Sequence, residues 1–74
     1  MSQQDCLEWL QEQHKSNPDQ WFRVKDVQEG LREAGKGNGT IKNVAVHLLK
    51  LRNCGDIGMR GVGLWEHYKE FKII

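Results

Sequence analysis

The stretch Ile41-Lys42-Asn43-Val44-Ala45-Val46-His47-Leu48-Leu49-Lys50-Leu51-Arg52-Asn53-Cys54-Gly55-Asp56-Ile57 decides how this chain reads. At about 100° per residue, a helix gathers Ile41, Val44, Ala45, Leu48 and Leu51 on one side. Lys42, Asn43, Val46, Lys50 and Asn53 fall on the other. One flank suits a core and the opposite flank is polar and basic. Thr40 offers an N-cap oxygen and Gly55 a stop, which predicts a helix from Ile41 to about Cys54.

Upstream, Gly35-Lys36-Gly37-Asn38-Gly39-Thr40 reads as a six-residue loop. Before it, Val27, Leu31 and Ala34 share a helical face over about Lys25 to Ala34, with Asp26 and Glu29 favouring the first turn. Trp21-Phe22-Arg23-Val24 is a β-favouring run, read as one short strand. Ser2 and Asp5 have capping-box spacing, and Leu7, Leu10 and His14 recur at helical intervals beside Cys6 and Trp9. His14 and Lys15 suit the end of that first helix, and Asn17-Pro18 closes it. Downstream, Ile57-Gly58-Met59-Arg60 and Leu64-Trp65-Glu66-His67-Tyr68 read as a hairpin joined by Gly61-Val62-Gly63. Phe71, Ile73 and Ile74 form an apolar tail with no conformation assigned. Trp9 and Trp21 are expected in the core; Trp65 is left open between core and contact surface.

Seventy-four residues make a single domain, 1–74, at 38% hydrophobic and 28% charged. No apolar run nears the roughly 18–20 residues of a membrane span, and the polar start does not resemble a secretory signal. Two cysteines, Cys6 and Cys54, are too few to staple a secreted mini-fold; reduced thiols filling apolar space in an intracellular protein are expected. The total charge of +1 conceals a division. Residues 1–34 carry four Lys or Arg against seven Asp or Glu, whereas residues 35–74 carry seven against three. A basic half favours an anionic partner, because binding follows the local field.

The order of elements, with Val44-Ala45-Val46-His47-Leu48-Leu49-Lys50-Leu51 running on through Asn53-Cys54-Gly55-Asp56-Ile57, resembles the winged helix-turn-helix family of small bacterial and archaeal regulators. Phe22-Arg23-Val24-Lys25-Asp26-Val27 is similar to the segment entering that family's second helix. The resemblance covers roughly Leu7 to Tyr68. It implies an α+β, mainly α fold: a three-helix core with a short strand and a C-terminal β-hairpin wing. It also implies a DNA-binding transcriptional regulator that is cytoplasmic or nucleoid-associated, with double-stranded DNA as partner and a homodimer as an open arrangement. Two features depart from the family. The loop is longer than a compact helix-turn-helix uses, and Ala45 and Val46 stand where relatives carry polar base-reading side chains.

Under that resemblance the third helix enters the major groove. Lys42 and Asn43 lie in its first turn, where Asn can pair with adenine and Lys can reach guanine or phosphate. Val46 offers at most an apolar contact to a thymine methyl. Lys36, Asn38 and Thr40 belong to a loop whose N–H groups suit a phosphate, with Lys50 reaching the backbone further along and His47 either near that backbone or packed at the edge of the core. Arg60 flanks the wing tip, where it would meet the minor groove or its phosphates. Neutralising roughly four to six phosphates gives a salt slope near −4 to −5.

Three other classes of function bear on the same residues. A protein–protein adaptor would use Val46, Leu49 and the tail around Phe71, Ile73 and Ile74. A metal site would need closer ligand pairs than Cys6, Cys54, His14, His47 and His67 provide, so no metal or other cofactor is expected. No nucleophile elbow, carboxylate pair or cofactor fingerprint indicates an enzyme, and no small-molecule ligand is evident.

Overall fold

A computed structural model describes residues 2–37, 39–61 and 69–74. Among them run α1 (Gln3–Ser16), β1 (Phe22–Arg23), α2 (Val24–Glu33), α3 (Ile41–Asn53), β2 (Ile57–Arg60) and β3 (Glu70–Ile73). The fold is α+β and mainly helical, three helices with a three-stranded antiparallel sheet ordered β1-β3-β2.

Each helix starts where a side chain satisfies its orphan N–H groups. Ser2 Oγ accepts from the Asp5 N–H at 3.2 Å, and Asp5 Oδ2 accepts from the Ser2 N–H at 3.0 Å, closing a reciprocal capping box. At α2, Asp26 Oδ2 accepts the Arg23 N–H at 3.0 Å, so the helix leaves β1 without a connecting loop. At α3, Thr40 Oγ1 accepts the Asn43 N–H at 3.2 Å.

The ends of α2 and α3 repeat one device. The Lys36 N–H reaches Leu31 O at 2.9 Å and the Gly35 N–H reaches Arg32 O at 3.1 Å. In α3 the Asp56 N–H reaches Leu51 O and the Gly55 N–H reaches Arg52 O, both at 3.0 Å. These paired bonds form Schellman caps, which need a left-handed residue; Gly35 (φ 71) and Gly55 (φ 83) supply it.

The core joins the three helices and the sheet: Cys6 and Leu10 of α1, Val24, Val27 and Leu31 of α2, Val44, Ala45, Leu48 and Leu51 of α3, and Phe22, Ile57 and Phe71 of the sheet. Burying each large aliphatic or aromatic side chain contributes about 1.5–3 kcal/mol. Trp9 packs at the edge, its ring T-shaped to Phe22 at 5.1 Å. Gly30, in mid-α2, lies directly under that indole, and any Cβ there would overlap it. The glycine weakens helix propensity by about 1 kcal/mol and thereby admits the tryptophan.

The C-terminal strand pairing departs from the expected hairpin. Among the described residues β2 pairs with Glu70–Ile73, with Ile57 opposite Ile73 and Arg60 opposite Glu70. Residues 62–68, which include most of the expected turn and all of the expected return strand, lie outside the described residues. Nor is the stretch from Phe71 a loose tail. It is the central strand, flanked by both others, and Phe71 is fully buried. The reason is register: Phe22, Phe71 and Met59 form one row across the three strands, facing the helices. A strand ending in alternating Phe71 and Ile73 can seal α1, against which β3 packs.

Two further expectations are corrected. Cys54 does not fill apolar space: it is the exposed C-cap of α3, past Leu51, the last buried position of that helix. Trp21 is half-buried outside the core cluster, lying across the outer face of the sheet under Arg60 and Lys72. Among the described residues no helix is long and apolar enough to cross a membrane.

Candidate nucleic-acid interface

The outward flank of α3 forms because its apolar residues recur every three or four positions and are consumed by the core. Exposed along the opposite flank are Lys42, Asn43, Val46, Lys50 and Asn53, one contiguous surface along the helix. Neither lysine has an ion-pair partner among the described residues. The C-terminal strand does not roof this flank, since Phe71 is sealed inside the fold and β3 packs toward α1. Asn43 uses its backbone N–H on the Thr40 cap, and its carboxamide has no hydrogen-bond partner among the described residues.

The other expected contact residues are distributed differently. Thr40 is exposed, but its hydroxyl is engaged as the α3 cap. The loop behind it is tied to α2 by Gln28 Nε2, which donates to Gly39 O at 2.9 Å. Lys36 borders a groove between α1 and α2, of about 220 Å³, with Asp5, Glu8 and Glu12 on its rim and Trp9, Leu31 and Ala34 on its floor. Lys36 thus lines the same groove as these carboxylates, with no ion pair to them among the described residues. His47 is half-buried, with Nδ1 covered and lacking a hydrogen-bond partner among the described residues. Of the two places expected for it, this burial favours the edge of the core. Asn38 lies outside the described residues.

Arg60 ends β2 on the outer face of the sheet. Its Nε donates to Glu70 Oε1 at 3.0 Å, and its guanidinium lies 4.6 Å from the Trp21 ring centroid. Glu70 also faces Arg23, whose Nε is 4.0 Å from Oε2. Register explains the arrangement: Arg23, Glu70 and Arg60 form one outward row across β1, β3 and β2. Lys72, 5.1 Å from the same indole, completes the cluster. Trp21, Arg23 and Lys72 were not singled out from sequence as contact residues. The available signal was alternation in Glu70-Phe71-Lys72-Ile73, which puts Lys72 and Glu70 opposite the buried Phe71.

Cys6 is sealed in the core, and burial, aided by the negative Asp5, raises its thiol pKa to about 11. No group of three or more His, Cys, Asp or Glu among the described residues could hold a metal ion. Comparison of the chain with protein-family models, with curated proteins and with solved structures returned no match.

Proposed function

We propose that the protein is a winged-helix domain that binds double-stranded DNA through the outward flank of α3 and serves transcriptional regulation. The observation that carries this reading is the exposed row Lys42, Asn43, Val46 and Lys50 on a helix whose other side supplies Val44, Ala45, Leu48 and Leu51 to the core. A helix about 10–12 Å across fits the major groove, and a first turn bearing Lys and Asn meets base edges there. The sheet order β1-β3-β2, with the first strand entering from between α1 and α2, suits a wing springing from the end of β2. In this reading Arg60 and Lys72 flank the backbone beside the groove, while Lys36 makes no direct contact.

The test is titration of a labelled duplex at two salt concentrations. Wild-type affinity should fall with salt, and the double variant Lys42→Ala, Lys50→Ala should flatten the log–log slope by about 2, one phosphate contact for each lysine. Equal affinity and slope in wild type and double variant would remove α3 as the contact surface.

A further inference from the structure

Val46 is 41% exposed, and among the described residues only Ile74, at the chain end, is another exposed large hydrophobic. Its place is hard to explain by folding. It belongs to no part of the core cluster, and a β-branched residue on an exposed helix face is a poorer helix former than alanine. Its surroundings are chemically specific. Lys42 lies one turn before it, Lys50 one turn after it, and Asn43 on the adjoining ridge, all exposed.

A methyl-bearing spot ringed by hydrogen-bond donors matches one feature of the major groove. There the 5-methyl group of a pyrimidine is the apolar element among acceptors and donors on the base edges. Asn43 precedes Val46 by three residues, about 4.5 Å along the helix axis, comparable with the roughly 3.4 Å between base steps. The carboxamide at Asn43 has donor and acceptor in the order that adenine presents in reverse at N7 and N6.

We infer that α3 reads the 5-methyl group of a pyrimidine through Val46, beside an adenine read by Asn43, so that the protein distinguishes methylated from unmethylated pyrimidine edges. The inference rests on the DNA-binding reading and deepens it. It makes Val46 a specificity residue at a position where phosphate contacts alone would carry no sequence information.

The experiment uses the full chain and two pairs of duplexes. One pair is alternating dA and dT against the same duplex with dU for dT, which deletes the methyl group. The other is alternating dC and dA paired with alternating dG and dU, with and without a 5-methyl on each cytosine, so that each cytosine keeps an adenine beside it and no thymine is present. Wild type should bind the methyl-bearing member of each pair about fourfold more tightly per buried methyl, the equivalent of about 0.8 kcal/mol. Val46→Ser, chosen because Ser and Val have similar helix propensities, should bring both ratios to near one while duplex binding persists. Duplex binding with wild-type ratios near one would overturn methyl readout and leave the DNA reading standing. So would ratios unchanged in Val46→Ser, which would place the effect in the duplex rather than in the valine. Absence of binding to all four duplexes at low salt would overturn both.

Discussion

The outer flank of α3 and the outer face of the sheet both display cations, yet they differ in what those cations are doing. Lys42 and Lys50 stand on a helix with no acidic neighbour in reach among the described residues. Arg60 and Lys72 lie over the Trp21 ring, and Glu70 holds Arg60 on one side and approaches Arg23 on the other. Equal charge thus gives unequal availability. A polyanion approaching α3 displaces only water and counterions, whereas one approaching the sheet must compete with a carboxylate and an indole.

The strongest challenge to that contrast removes the inner support of the sheet. Phe71→Ala should cost about 3–5 kcal/mol, read by urea denaturation, because a fully buried ring of the central strand is replaced by a cavity. The exposed face built on β3 would be lost with it, while Val46→Ser on α3 should alter stability by no more than about 0.5 kcal/mol. A small effect of Phe71→Ala would mean that β3 is not the strand holding the two faces apart.

Open and closed surfaces also separate the two thiols. Cys54, exposed at the end of α3, should react with a thiol reagent in the native protein, and Cys6 only after denaturation. Because the folded Cys6 pKa is raised from 9.0 to about 11, its contribution to stability is complete below pH 9. It is lost as pH rises from that value toward 11, when the unfolded thiol ionises and the folded one does not. Denaturation midpoints of wild type against Cys6→Ala across that interval check the sign: the wild-type midpoint should fall more steeply.

The smallest effect expected is at Glu70. Glu70→Gln should change stability by less than about 1 kcal/mol, since both arginines facing it are well exposed. It should nonetheless release Arg60 and steepen the salt slope of duplex binding by up to ~0.9, one additional phosphate. An unchanged slope would show that the carboxylate does not restrain Arg60.

Most of the helical framework was legible along the chain. Ser2 with Asp5, Thr40 before Ile41, and Gly35 and Gly55 at their helix ends are caps, and caps act within a few residues. The periodicity of Val44, Ala45, Leu48 and Leu51 likewise exposed the buried side of α3, and with it the row Lys42, Asn43, Val46 and Lys50. The short strand at Phe22 was legible too, although the start of α2 at Val24 was not, because Asp26 caps backward onto Arg23 from inside what reads as strand.

The sheet was not legible to the same degree. From the sequence, Ile57–Arg60 was expected to pair with 64–68, whose aromatic residues carry strong local β character, and no conformation was assigned to Phe71, Ile73 and Ile74. Pairing with Glu70–Ile73 prevails among the described residues because that strand also meets β1 and buries Phe71 against the helices, a gain that no local pattern reports. The placement of Lys36 among α1 carboxylates, of Trp21 outside the core, and of Arg60 against Glu70 follows from that same assembly.

Local hydrogen bonding and side-chain periodicity were written into neighbouring residues, and they specified three helices and which side of α3 would face water. Strand partnership, and whether a given cation stands alone or is held, depend on groups brought together from distant parts of the chain. Those energies arise from burial and register across the sheet, and they exist only once the helices and strands have packed.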